Sequence, residues 1–387
     1  MEKIKILHII TELNVGGAEI MLFNLLSGTD RSQCDPHVIS LIDIGPVGKK
    51  IENLGVEVRC LGMKPGMPDP IKLLKLARII REMKPDVIQT WLWHADLIGA
   101  IAAKLSRLSV PVVWGIHVTE ADPDDLKMTS SLTMKACSRL SRSKWGPEKI
   151  ICCSGIALKA HENKGYSPAN MLVINNGVDT EIYKPDSENR VSARHELGVP
   201  ENVALIGMVA RFHPMKDHNN FIKAAGLLSK QKDDVYFLLC GLGITKENAQ
   251  LTDWINEEGI ANRLFLLGVR EDIPRILSSL DVATLSSYSE AFPLSITEAM
   301  SCGVPCVATD AGDSALIIGN TGEVVPIKNP KSLSGAWLKM IEAGPERRME
   351  LGIAARKRVE ERFSLQVIVK TYEELYYELV RNNRGLR

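Results

Sequence analysis

Short runs rich in valine and isoleucine alternate with helical segments along most of this 387-residue chain, and the alternation occurs twice. In the first half KIKILHII, PHVISLID, VEVRCLG, DVIQTWLW, VPVVWGIH, EKIICCS and NMLVINNGV read as strands. Between them lie NVGGAEIMLFNLLSG, a glycine turn opening a helix, then DPIKLLKLARIIREMKP, apolar at helical spacing up to Pro85, then DLIGAIAAKLSRL. VALIGMVAR, VYFLLCGLG, RLFLLG, VATLSS, VPCVATD and GEVVP restart the pattern in the second half. Strands of this composition, each followed by a helix, build a parallel sheet covered on both faces. The expected fold class is therefore α/β, with two doubly wound parallel-sheet domains facing a cleft. In such sheets ligands bind beyond the carboxyl ends of the strands. VDTEIYKPDSENR is polar, contains Pro185 and lacks periodicity, so it reads as the end of the first domain and the start of a linker. The expected domains are 1–185 and 186–362, with a C-terminal helix over 363–387.

Composition narrows the function. Apolar residues make up 45% of the chain, enough for two cores, and the formal net charge is zero. A neutral chain lacks the basic excess of a dedicated nucleic-acid binder. None of the eight cysteines (Cys34, Cys60, Cys137, Cys152, Cys153, Cys240, Cys302, Cys306) forms a C-x-x-C pair, so zinc or thioredoxin chemistry has little support. They read as buried free thiols in a reducing compartment. MEKIKILHIITELN reads as a first strand and not as a signal peptide. No stretch approaches the roughly 20 apolar residues of a membrane span. The expected location is the cytoplasm. The basic stretch 127–144, with Lys127, Lys135, Arg139, Arg142 and Lys144, offers peripheral contact with the cytoplasmic membrane face, although a solvated helix face accounts for it equally well.

The segment SEAFPLSITEAMSCG, Ser289 to Gly303, concentrates the chemistry. Pro293 suits the first turn of a helix and Gly303 the position after its end. Glu290 then lies in the loop before the helix and Glu298 inside it. The N–H groups of Leu294 and Ser295 point out of the helix start, where an anion binds. Arg211 ends the strand VALIGMVAR, and Lys216 follows in the loop; an Arg fork and a Lys point charge together suit a diphosphate. Gly241 and Gly243 of CGLG sit at the next strand end, where glycine permits close backbone approach. Together these residues read as a nucleotide-diphosphate site.

ARFHPMK resembles the G-R-x-x-x-x-K signature, and SEAFPLSITEAMSCGVPCVATD the E-x7-E signature, of retaining family 4 glycosyltransferases with the GT-B fold. NVGGAE, the strand end WGIH and NNGVDTEIYKP fit the same family, so the resemblance spans nearly the whole chain. It implies two Rossmann-like domains, with the C-terminal helix packing back on the first. It also implies roles. Arg211 and Lys216 hold the donor diphosphate, Glu298 the ribose hydroxyls, and Glu290 the donor sugar. The amides around Phe292, Pro293, Leu294 and Ser295 face sugar and phosphate. Gly16 and Gly17 form the loop that closes on phosphates and acceptor. His117 stands beside the transferred sugar, and Val269 and Arg270, after Gly268, form the base-binding turn. His94 is a weaker candidate, and His213 reads as loop surface. Two departures stand out: CGLG replaces the commoner G-x-G-P turn, and TDAGDSA lacks the usual G-G-x-x-E ending, which leaves the geometry past Asp310 open.

The resemblance implies transfer of a sugar, with retention, from a nucleotide-diphosphate donor to a glycan or lipid-linked acceptor. A UDP-sugar is the first expectation and a GDP-sugar the second, and cell-surface polysaccharide or lipopolysaccharide assembly is the expected setting. No cofactor is expected, and no metal: the D-P-D at Asp122–Asp124 matches a D-x-D metal motif but sits in a proline-bearing loop, away from a donor-binding strand. Other readings are an epimerase or hydrolase using the same donor, a non-catalytic glycan-binding protein, and a dinucleotide oxidoreductase. The last is opposed by the lack of G-x-G-x-x-G after the first strand.

Overall fold

The structure is a computed structural model and describes residues 3–65, 69–117 and 128–385. The chain divides into two compact units, Met1–Gly177 with Leu365–Arg387, and Val178–Ser364. The position 185/186, where the sequence suggests a boundary, falls inside the second unit.

The first unit holds seven parallel strands: β1 (Ile4–Ile10), β2 (Cys34–Ser40), β3 (Val58–Cys60), β4 (Val87–Trp91), β5 (Val112–Ile116), β6 (Lys149–Cys152) and β7 (Met171–Val173). Their order is 3-2-1-4-5-6-7, with Ile4 of β1 opposite Cys34 of β2, and Ile6 opposite Val87 of β4. Both faces of β1 are buried, which is why it reads as a continuous apolar run. Ile6 and Ile10 join a cluster with Met21, Leu22, Leu25 and Trp91. The helix Leu365–Asn383 closes that cluster with Leu365, Ile368, Val369, Tyr372, Leu375, Tyr376, Leu379 and Val380, spaced at helical period. Each such burial stabilises by on the order of 2 kcal/mol, so this helix is part of the first unit's core.

The second unit holds six parallel strands: β8 (Ala204–Val209), β9 (Val235–Cys240), β10 (Leu264–Leu266), β11 (Val282–Leu285), β12 (Cys306–Thr309) and β13 (Glu323–Val325). Their order is 10-9-8-11-12-13. Phe221, Phe237 and Trp337 centre the core, and Trp337 Nε1 donates to Thr284 Oγ1 at 2.9 Å. In each sheet the chain reverses direction of travel once, at β1/β4 and at β8/β11. A crevice opens at such a switch point.

Three local readings shift. The polar stretch around Pro185 holds a helix start: Asp186 accepts from Asn189 N at 2.8 Å and caps the helix Ser187–Leu197. Arg194 of that helix, fully buried, pairs with Asp281 at 3.0 Å and fastens the helix to the sheet. DVIQTWLW ends as a strand at Trp91, because Leu92 takes a φ of 71° and turns the chain, so His94 lies in the first turn of a helix and not at a strand end. Pro293 precedes the helix Leu294–Ser301 and does not occupy its first turn; with φ −73° and ψ 97° it keeps extended geometry. Gly303 beyond the helix end is left-handed, φ 73°, as its position requires. Seven cysteines are buried and Cys60 is exposed, all as free thiols. Among the described residues, no helix is long and apolar enough to cross a membrane.

Candidate active site

The carboxyl edge of the second sheet gathers most of the charged candidates. Arg211 follows β8 with its side chain exposed and no acidic partner among the described residues. Lys216 stands in the short turn Pro214–Lys216, after His213, whose Nδ1 accepts from Met215 N at 3.3 Å. Across the switch point, the loop after β11 carries Glu290. Lys216 Nζ donates to Glu290 Oε1 at 2.5 Å, and Ser287 Oγ donates to the same oxygen at 2.6 Å. The two loops are tied in three further places. Ser286 Oγ donates to the carbonyls of Lys216 (2.8 Å) and Asp217 (3.0 Å), and Tyr288 N donates to Met215 O at 3.0 Å. Four residues of one loop thus fix the cation of the other. Lys216 and Glu290 remain 22% and 11% exposed. A pair in this setting takes about 1–3 kcal/mol to open, so an arriving anion can take the lysine over.

The helix Leu294–Ser301 begins beside this pair. The amides of Leu294 and Ser295 have no carbonyl partner among the described residues, as the geometry of a helix start requires. Phe292 is buried against Phe363, ring centroids 5.5 Å apart, and anchors the approach to the helix. The TDAGDSA loop packs over the same place. Gly312 has φ 60°, and a Cβ there would stand 2.7 Å from the carbonyls of both Glu290 and Ala291, while Asp313 N donates to Ala291 O at 3.1 Å. The departure from the usual ending therefore leaves a glycine-dependent clamp on the Glu290 loop.

Glu298 sits one helical turn further in and is half-buried. Burial pushes its pKa up to about 7, against the opposing pull of the Tyr183 hydroxyl that donates to it. Tyr183 is fixed by its own carbonyl, which accepts from Ser301 Oγ at 2.5 Å and from Arg356 Nη1 at 3.2 Å. Its motif is visible in the sequence as NNGVDTEIYKP, but nothing in the sequence aims its hydroxyl at Glu298. Ser287 likewise gives no sequence signal beyond its nearness to Glu290.

Gly241, at the end of β9, has φ 147°, and a Cβ would lie 2.3 Å from Ala210 O. Its N–H donates to Gly268 O at 2.8 Å, which locks the turns after β9 and β10 together. Val269 follows, 67% exposed. Arg270 is engaged by Asp272 at 2.8 Å and Glu196 at 3.0 Å, so its guanidinium is committed to the protein. Arg211, Gly241, Val269 and Glu290 thus stand after four adjacent strands, β8, β9, β10 and β11.

Gly16, Gly17 and His117 belong to the first unit. Gly16 and Gly17 follow β1 and open the helix Gly17–Gly28; a Cβ on Gly16 would meet the Glu19 carboxylate at 2.3 Å, whereas one on Gly17 would meet nothing. His117 directly follows β5 and stacks on Trp91, ring centroids 4.9 Å apart and planes 19° from parallel. Burial pushes its pKa down to about 4, and Asn176 beside the ring acts the other way. Neither ring nitrogen meets strict hydrogen-bond geometry with a described residue, and neither does Asn176 Oδ1. His117 is therefore a neutral imidazole whose two ring nitrogens have no firm partner among the described residues. Asp122–Asp124 and Lys127 lie outside the described residues.

Comparison with known proteins agrees with this geometry. Residues 15–182 match the Glycosyltransferase Family 4 model, and 189–358 the Glycosyl transferases group 1 model. The chain is 25% identical over 323 residues, 81% of each chain, to the UDP-Gal:alpha-D-GlcNAc-diphosphoundecaprenol alpha-1,3-galactosyltransferase of Escherichia coli. It is 24% identical over 308 residues to the D-inositol 3-phosphate glycosyltransferase of Corynebacterium aurimucosum, covering 76% of this chain and 72% of that one. Among solved structures, Anabaena Alr3699/HepE in complex with UDP superposes with a TM-score of 0.85 at 24% identity, covering 97% of this chain and 100% of that one. Two Rossmann-like domains in this order, matched by consecutive family models over most of the sequence, place the chain among the GT-B glycosyltransferases of group 1, family 4, and it belongs to that family.

Proposed function

We propose that this glycosyltransferase takes its sugar from a nucleotide-diphosphate donor, a UDP-sugar before a GDP-sugar, and delivers it with retention to a glycan or lipid-linked acceptor. The observation that carries this reading is the gathering of Arg211, Lys216, the Leu294 and Ser295 amides, Glu290 and Glu298 at one switch point of the second sheet. Transfer leaves negative charge on the departing diphosphate and positive charge on the anomeric carbon. Lys216 and the helix start are held in place before the reaction where negative charge would develop, and Arg211 stands exposed at the same sheet edge. The same set supports a reaction that does not require a metal. Lys216 waits on Glu290 until the diphosphate arrives; Glu290, released, then faces the sugar. Glu298 accepts from the ribose, and Gly241 and Val269 line the path to the base; in the first unit His117, Gly16 and Gly17 are the candidates for handling sugar and acceptor.

The E. coli relative is named for transfer from UDP-Gal to a diphosphoundecaprenol-linked sugar, and the Anabaena structure holds UDP. Both support a UDP-sugar, and the first a lipid-linked acceptor; a setting in cell-surface glycan assembly at the cytoplasmic side is part of this proposal. The test is thermal stabilisation by UDP, GDP, ADP, CMP and their sugars with EDTA present. A ligand at 100 times its dissociation constant should add about 2.7 kcal/mol. Stabilisation by one diphosphate, lost in Glu298→Ala, supports the assignment; none with any nucleotide argues for the glycan-binding reading instead. Retention is read from the anomeric configuration of the product.

A further inference from the structure

The helix Met128–Ser141 and the turn after it carry Lys135, Arg139, Arg142 and Lys144, and no acidic residue occurs from 128 to 147. Met134, Cys137 and Ser141 form the buried side of this helix, with Cys137 Sγ donating to Trp93 O at 3.4 Å. The opposite side presents Leu132, Lys135, Arg139 and Arg142, spaced by three, four and three residues and therefore on one face. None of the four cations has an acidic partner among the described residues. Leu132 is 59% exposed at one end of this face.

At the other end an ordered turn presents Trp145. Ser143 N donates to Leu140 O and Gly146 N to Ser143 O, both at 2.9 Å, and Trp145 N donates to Ser143 Oγ at 3.1 Å. A Cβ on Gly146 would lie 2.6 Å from Leu140 O, so the turn requires glycine there. Trp145 is 51% exposed, whereas Trp91, Trp93, Trp114 and Trp337 are buried and Trp254 is half-buried. A solvated helix face explains exposed lysines and arginines. What sets this face apart is that an exposed leucine and an exposed indole bound a row of like charges. An indole sits well at the boundary between water and lipid, and long basic side chains reach phosphate while their stems rest on apolar matter.

We infer that this face docks on an anionic lipid bilayer, with Lys135, Arg139, Arg142 and Lys144 against headgroup phosphates and Leu132 and Trp145 at the acyl boundary. The surface lies outside the proposed donor site, and its test does not depend on transfer.

The intact chain is sedimented with phosphatidylcholine vesicles, with and without about 30% phosphatidylglycerol. Binding is expected only to the anionic vesicles and should weaken steeply in half-molar salt. Each cation removed should weaken partition about fivefold, so K135E/R139E/R142E/K144E should lose about two to three orders of magnitude. All four sites are exposed, and an unchanged melting temperature verifies the fold. K135Q/R139Q, which removes charge without reversing it, should lie between. Brominated lipid should quench tryptophan emission in the wild type and not in Trp145→Phe. Equal binding to neutral vesicles, no binding by the wild type, or full binding by the reversed variant overturns the inference. Binding to soluble polyanions with no quenching at Trp145 also overturns it, in favour of an anionic polymer.

Discussion

Glu298 ties structure to a measurable pH dependence. Its pKa in the donor-free protein is raised from 4.5 to about 7 by burial. If the two ribose hydroxyls donate to it, one to each oxygen, they need the ionised form, so donor binding expels the proton. Below pH 7 each unit of acidification should then weaken donor affinity about tenfold, or about 1.4 kcal/mol; above pH 7 the affinity should level off. Tyr183 stabilises the ionised form through its hydroxyl. Tyr183→Phe removes a charge-assisted hydrogen bond worth about 1.5–3 kcal/mol, discounted here to about one pKa unit because the carboxylate is only half-buried. Its midpoint should move up to about 8, weakening affinity at neutral pH several-fold to tenfold and hardly at all near pH 9. Glu298→Gln should be flat throughout. Calorimetric titration with an intact nucleotide-diphosphate sugar suits the test, because that diester has no phosphate titrating in this range. Stability follows with its own sign. A carboxyl whose folded pKa is raised contributes stability that is present below about 4.5 and lost as pH rises through about 7, at most about 3 kcal/mol. A donor affinity independent of pH in the wild type, or the same slope in Glu298→Gln, would refute the reasoning.

Three further outcomes are expected. Lys216→Ala should cut turnover by about two to three orders of magnitude, as for other fixed charge stabilisers, and wild-type turnover would remove Lys216 from the mechanism. Gly312→Ala must adopt φ 60° and push against the carbonyls of Glu290 and Ala291, so it should cost about 1–2 kcal/mol in melting experiments and lower turnover by moving Glu290; full activity with full stability would show that the clamp yields freely. His8, His117 and His161 of the first unit have pKa values held down to about 3, 4 and 4, mainly by burial. Each is neutral when folded and takes up a proton when unfolded. Their contribution is thus present above about 6.5 and lost on acidification, by at most about 2 kcal/mol each between pH 6.5 and 5. Histidine ring resonances followed by NMR should show none of the three titrating above pH 5; a midpoint near 6.5 for any of them would refute its burial.

The alternation of strand and helix was enough to read two parallel sheets, because strands buried on both faces need apolar runs and their crossovers need helices. Arg211, Lys216 and Glu290 were legible for a related reason: strand ends and a helix start are local features, and the sheet places them at one edge. What escaped the sequence depends on dihedral angles and on contacts between distant segments. Leu92 turns the chain through a positive φ that no leucine advertises, and His94 moved from strand end to helix with it. Pro293 satisfies either the first helical turn or the position before it, and only its ψ decides. The helix from Ser187 is polar enough to pass for linker, although Asp186 supplies a cap. Tyr183 lies more than a hundred residues from Glu298, and Gly312 reaches back to Glu290, so neither pairing leaves a pattern in the local sequence.

The helix Leu365–Asn383 completes the core of a unit whose sheet is made from the first 177 residues. On a ribosome the whole of Val178–Ser364 must be synthesised before that helix exists. At 5–20 residues per second the interval is roughly 10–40 s. Throughout it Trp91 of the first sheet lacks the Tyr372 ring that stacks on it, and the helix Gly17–Gly28 lacks Leu365 and Val369 beside Gly28. The nascent chain is therefore a natural client for holding factors during translation, and a message truncated after codon 364 would release a product with a finished second unit and a permanently sticky first one.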